Sequence, residues 1–220
     1  VIEPDFSTGA VIGLIAASIM FIGGARWRHL SIFVVLFAVA STFVILKSPY
    51  KLERLTLMFN PSSDLSGSGY QLHQSLISLG NGGLFGQGLG SGIQKELFLP
   101  DCHTDFIFSV VGEEMGFVFS TLILFAYLFL YWRGIKIANN APDNFGRLLG
   151  LGLSISMFVY VLINIGVVCG ILPVTGLPLP FMSYGGSAIL YNMIAVGLLL
   201  NISKYSKKDK NHRRDYIING

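Results

Sequence analysis

The chain has 220 residues, of which 52% are hydrophobic and 12% charged, against about 25% charged residues in an average soluble domain. Leu148 to Ser203 holds no Asp, Glu, Lys or Arg over 56 residues, more than twice the roughly 20 that one helix needs to cross a bilayer, so a soluble protein is excluded and at least two crossings are required there. A net charge of +3 from 15 basic and 12 acidic residues, with no face on which basic and aromatic residues interleave, argues against a nucleic-acid partner.

In chain order, Val1 is followed by no basic n-region and no small-residue cleavage site, so the first apolar stretch reads as a span from an interior start and not as a signal peptide. Spans are predicted over about 8–25 and 30–46, with Arg26 and Arg28 between them. A loop of more than 50 residues then runs from Lys47 to about His103, and loops that long are usually functional or disordered. Tyr70, Leu72, Leu76, Ile77, Leu79 and Leu84 supply apolar anchors of the interfacial kind, so order is expected. Within it, seven glycines fall in 13 residues from Gly80 to Gly92. They could bring backbone amides onto a phosphate, but no strand precedes them and no Lys-Ser or Lys-Thr follows, so tight turns are the better reading.

His103-Thr104-Asp105-Phe106-Ile107-Phe108, ending in Gly112-Glu113-Glu114, stands where the loop enters the next span, 115–132. An acid there has two readings: a first-turn charge favoured by the helix dipole, with Asp101 a candidate N-cap, or a partly desolvated carboxylate suited to general-base work. On an ideal helix Glu114 falls on the face opposite Asp105 and Glu113 is offset by about 80°, so no paired-carboxylate site is predicted. A span over 148–169 follows Arg133, Lys136 and Arg147, and Asn164 within it reads as a helix-to-helix hydrogen bond. Pro173, Gly176, Pro178, Pro180, Gly185 and Gly186 then preclude a continuous helix. Irregular backbone at membrane depth is tolerated only inside protein or along a wet cavity. Re-entry and a simple exposed loop are therefore both open for this hairpin, with a last span over 187–201.

The basic tail, 204–220, is read as solvated and cytoplasmic. With it, 11 of the 15 basic residues fall on one side, predicted to be the cytoplasm, and 9 of the 12 acids on the other. Cys102 and Cys169 form no disulfide framework and lack metal-ligand spacing with the four histidines, so they read as unpaired. The expected fold class is an all-α integral membrane protein: about five transmembrane helices, a large extracytoplasmic loop and a Pro/Gly-rich re-entrant hairpin.

Several segments together resemble the SEDS (FtsW/RodA/SpoVE) family of bacterial cell-wall proteins. They are Glu3-Pro4-Asp5-Phe6, Gly69-Tyr70-Gln71 with Gln74-Ser75, Gly86-Gln87-Gly88-Leu89-Gly90, Gln94-Lys95, Leu99-Pro100, the His103-to-Phe108 run and the Pro/Gly hairpin. The forms Gly86-to-Gly90 and Gly112-Glu113-Glu114 are closer to the division branch of the family than to its elongation branch. The resemblance covers residues 3–203 and implies the C-terminal half of a protein of about ten spans. Departures are Ser7, Glu96 and Ala188, and the family's outward basic residues that help bind pyrophosphate belong to the other half.

The resemblance implies an inverting peptidoglycan glycosyltransferase that polymerises lipid II during cell division, with undecaprenyl pyrophosphate leaving. Asp105 matches the essential carboxylate. Lys95, His103, Thr104, Glu114, Gln71, Ser75 and Ser183 are carried over as substrate-binding candidates, Lys95 with the alternative of a snorkelling interfacial anchor and His103, Thr104 and Glu114 with the alternative of bracing the helix. Either a divalent cation, Mg or Mn, or basic side chains would stabilise the leaving charge, Lys95 being the one outer-loop cation within a matched motif. Implied partners are lipid II and the growing lipid-linked glycan, a class B penicillin-binding transpeptidase and other divisome proteins, in the bacterial cytoplasmic membrane at the septum with the active site facing outward. A lipid II transporter, for which the hairpin would be a gate, and a non-catalytic scaffold are the competing readings.

Overall fold

The structure, a computed structural model, describes residues 6–48, 67–92 and 103–219. Its helices are α1 (Phe6–Ile22), α2 (Trp27–Lys47), α3 (Ser68–Gly82), α4 (Ile107–Asn139), α5 (Asn144–Val168) and α6 (Gly186–Asn219), and the described residues contain no strand. Trp27–Lys47, Ile107–Asn139, Asn144–Val168 and Gly186–Ser206 are each long and apolar enough to cross a membrane, and Ser7–Ile22 is a shorter apolar helix. The protein is an all-helical integral membrane protein.

Local chemistry sets the ends of α5. Pro142 cannot continue α4, and the Asp143 carboxylate accepts from the Gly146 N–H at 3.0 Å as an N-cap. At the far end Gly170 takes φ +72, and the N–H groups of Gly170 and Ile171 donate to the carbonyls of Val167 and Gly166 at 2.9 and 2.8 Å. Those two bonds close a left-handed glycine stop that satisfies the last carbonyls and turns the chain into the hairpin.

Helices α4 and α5 run antiparallel and cross through small residues. A Cβ on Gly150 would stand 2.9 Å from the Ala138 Cβ, and one on Gly134 would meet the Ser154 side chain. Close backbone approach of this kind drives helix association where lipid removes the hydrophobic incentive. Gly134 also faces Leu199, Gly150 faces Ile202, and Gly23 faces Leu148. The α1–α2 turn, the α4–α5 turn and the Lys204 region of α6 therefore share one end of the bundle, and Arg26, Arg28, Arg133, Lys136 and Arg147 gather there. At the opposite end α3 lies over the bundle, with Leu72 packed in one core with Phe106, Phe108, Val167, Val168 and Leu179. Gly134→Val is expected to overpack the crossing by about 1–3 kcal/mol, read as a fall of several degrees in the melting temperature of the purified protein, with Gly134→Ala intermediate.

Candidate active site

Helix α4 is broken at Gly116, whose φ of 77° and ψ of −178° belong to a region open essentially to glycine alone. The break frees backbone groups on both sides, and the glycine-rich segment after α3 takes them up. Phe117 and Val118 N–H donate to the Gly83 and Leu84 carbonyls at 2.9 and 3.1 Å, while the Glu113 and Glu114 carbonyls accept from Gln87 and Gly88 N–H at 3.0 and 2.9 Å. Gly86 N–H donates back to Gly82. These amides are spent inside the protein, so the tight turns expected here form a clasp around the kink of α4 and not a phosphate cradle.

The hairpin after α5 folds back into the bundle. Leu177 is buried against Val11 and Val159, and Val159 lies nine residues before the end of α5, about 13 Å along the axis. Re-entry, left open by the sequence, is what the chain does, and its buried backbone is satisfied by side chains as such a site requires. Tyr127 Oη donates to the Pro180 carbonyl at 2.6 Å. Leu179 N–H donates to Ser183 Oγ at 2.7 Å, and Ser183 N–H returns to the Leu179 carbonyl at 3.0 Å. Phe181, at φ +64, sits in this locked turn, a backbone state that costs a non-glycine residue about 1–3 kcal/mol.

Against this hairpin lies the turn that leads into α4, and three successive carbonyls of that turn are gripped. His103 O accepts from Tyr184 N–H at 2.8 Å, Thr104 O from Ser183 Oγ, and Asp105 O from Asn164 Nδ2 at 2.7 Å. The half-buried Asp105 carboxyl leans across to the hairpin, with Oδ2 only 3.4 Å from where a Cβ on Gly176 would stand. Gly176 has φ +71, so the surface under the carboxyl is bare backbone. Phe106, fully buried, is the N-cap of α4 and carries no side-chain cap, which places the acid just outside the helix, at the junction of α4, α5 and the hairpin.

The structure thus brings together Asp105, Thr104, Ser183 and the exposed His103. Ser75 is fully buried on α3, and its Oγ donates to the Val168 carbonyl at 3.0 Å, fastening α3 to the end of α5. Half-buried Gln71 sits a turn earlier on α3, its N–H on the Gly67 carbonyl. Glu114 lies nine residues beyond Asp105, about 13 Å along α4. Oxygens of Glu114 and Glu113 come 3.1 and 3.2 Å from where a Cβ on Gly92 would stand, and buried Glu113 accepts from Ser78 Oγ at 3.0 Å. Lys95, with Glu96, Asp101 and Cys102, lies outside the described residues, while Cys169 is a free, exposed thiol. Among the described residues no three His, Cys, Asp or Glu side chains are placed to share a metal ion.

Two contacts at the candidate site escaped the sequence. Asn164 binds not another helix but two loop carbonyls, those of Asp105 and Leu177, and Tyr127 holds Pro180. The only signal was a polar group in an apolar run.

The family model FtsW/RodA/SpoVE, described as a cell cycle protein, matches residues 1–208. The chain belongs to the FtsW/RodA/SpoVE family. Within the family it is 45% identical over 205 residues to stage V sporulation protein E of Bacillus subtilis, covering 93% of this chain and 56% of that protein. It is 42% identical to the probable peptidoglycan glycosyltransferase FtsW of Coxiella burnetii, covering 92% of this chain and 55% of that one. Identity to the peptidoglycan glycosyltransferase MrdB of Escherichia coli is also 42%, over 93% and 56%. Among solved structures, a chain from work on the coordination of polymerisation and crosslinking by a peptidoglycan synthase complex superposes with a TM-score of 0.74 at 29% identity, covering 93% of this chain and 57% of that one. The rod-shape-determining protein RodA of Thermus thermophilus gives 0.59 at 28%, over 92% and 51%. The chain therefore spans about half the length of the family members it matches.

Proposed function

We propose that this protein, at full length, is a peptidoglycan glycosyltransferase that polymerises lipid II during cell division. The observation that carries the reading is the placement of Asp105: a half-buried carboxyl just outside a helix, resting on bare backbone, with three carbonyls of its turn held by the hairpin and α5. A general base needs a fixed geometry before anything else. Asp105 would take the proton of the acceptor 4-hydroxyl of lipid II as that oxygen forms a bond to the anomeric carbon of the lipid-linked chain. The bond from that carbon to undecaprenyl pyrophosphate breaks on the opposite face, inverting the centre. Pyrophosphate leaves without needing a strong acid, so one carboxylate suffices where a glycosidase uses two.

The relatives named as peptidoglycan glycosyltransferases support the chemistry. The gathering of basic residues at the end of the bundle opposite Asp105 supports an outward-facing site, since positive charge favours the cytoplasmic side. We infer a class B penicillin-binding transpeptidase as partner, supported by the synthase-complex neighbour, with the septum as the place of work. The test is glycan synthesis from lipid II in liposomes by the full-length protein with the transpeptidase present and its own active site blocked. Polymer that depends on Asp105 supports the reading; equal polymer from the Asp105→Asn variant sinks the base assignment. Lipid movement without polymer would replace the reading with a transporter.

A further inference from the structure

We infer that Asn164 is a positioning residue for the glycosyl transfer, holding Asp105 in register with the hairpin by tying both to α5 through one side-chain amide. The inference rests on the reading of Asp105 as the base. Asn164 is buried, four residues before the end of α5, and it spends both amide hydrogens on loop carbonyls: Asp105 O at 2.7 Å and Leu177 O at 2.8 Å. Two carbonyl acceptors fix which end of the amide is nitrogen. The other end, Oδ1, is buried without a hydrogen-bond partner among the described residues, a state that is costly by itself. What the side chain contributes here is its two donors, one on the acid's turn and one on the hairpin.

The geometry closes a ring. Leu177 is the neighbour of Gly176, and Gly176 is the surface on which the Asp105 carboxyl rests. From that carboxyl the path runs through Gly176 to the Leu177 carbonyl, through the Asn164 amide, and back to the Asp105 carbonyl. A slip between the turn and the hairpin stretches one of the two Asn164 bonds or alters the approach of the carboxyl to Gly176. The other two grips on the turn, from Ser183 and Tyr184, come from the hairpin itself. They move with it and cannot set where it stands, whereas Asn164 refers both partners to a helix. It touches no reacting atom and acts through Asp105 alone.

Misplacing a catalytic group by about 1 Å costs on the order of 10²-fold. In the full-length protein, Asn164→Leu, of similar size without donors, is expected to lower kcat for lipid II polymerisation by about 30- to 100-fold per folded molecule. KM should move less than about threefold, because substrate binding is not what is lost. Placed on Asp105→Asn, Asn164→Leu should cost little further, because a residue that works through the base has nothing left to position. A merely structural role would instead reduce folded yield, leave kcat per folded molecule native, and add its full effect in the double variant. Asn164→Gln, which keeps the amide one methylene too far out, carries the same readout if the Leu variant does not fold. Native kcat in the folded variant, or additive loss in the double variant measured on the residual activity of an impaired Asp105→Asn, overturns the Asn164 assignment alone. Polymerisation by Asp105→Asn at the native rate removes the base reading and this inference with it.

Discussion

Replacing Asp105 with Asn is expected to lower lipid II polymerisation by about 10²- to 10⁴-fold, the range that a positioned general base contributes, while the protein folds and binds substrate as before. The amide has the size of the carboxyl, so it can rest on Gly176 in the same place. The residue's carbonyl, still bonded to Asn164, and the grips on Thr104 and His103 do not involve the side chain at all. What disappears is a proton acceptor that becomes useful only as the acceptor hydroxyl attacks. The loss should therefore fall on kcat, with KM near native. Steady-state synthesis with lipid II varied, normalised to monodisperse protein, separates these terms. An equal fall in folded yield would instead mark Asp105 as a helix-end charge.

Gly116→Ala is expected to be the most damaging substitution for the fold, costing more than about 4 kcal/mol and showing as loss of monodisperse protein on size-exclusion chromatography. Two causes add. Alanine does not readily adopt the backbone state at Gly116 (φ 77, ψ −178), and its Cβ would overlap the Gly86 amide and the Phe85 carbonyl carbon, which are backbone and cannot rotate away. Relieving either means withdrawing the clasp, which exposes the four backbone groups it shares with α4. Gly86→Ala should act in the same direction, since its Cβ would overlap the Glu114 carbonyl. Gly80, in α3 with open space around it, is the internal control: Gly80→Ala should be neutral or stabilising by about 0.5–1 kcal/mol. Damage there comparable to that at Gly116 would mean that the clasp is not what holds this end of α4.

Much of this protein follows from the sequence by itself, for a simple reason. A bilayer asks for apolar runs of set length and for internally bonded backbone, and both demands are met by local patterns. The four long apolar helices, the proline and glycine punctuation between α5 and α6, and the run of motifs that marks the family are all of that kind. So is the identity of the candidate acid, which rests on a contiguous stretch around Asp105. What only the tertiary structure decided are the partners of polar groups. Ser75 belongs to a motif, yet its hydroxyl is used up on Val168. The glycines from Gly82 to Gly88 clasp a helix break about 30 residues away in the chain. Asn164 binds the acid's own carbonyl, 59 residues distant. Hydrophobicity is additive along a chain and can be read off it. A hydrogen bond needs a donor and an acceptor within about 3 Å, and for residues this far apart only the packing of the whole bundle determines which two meet.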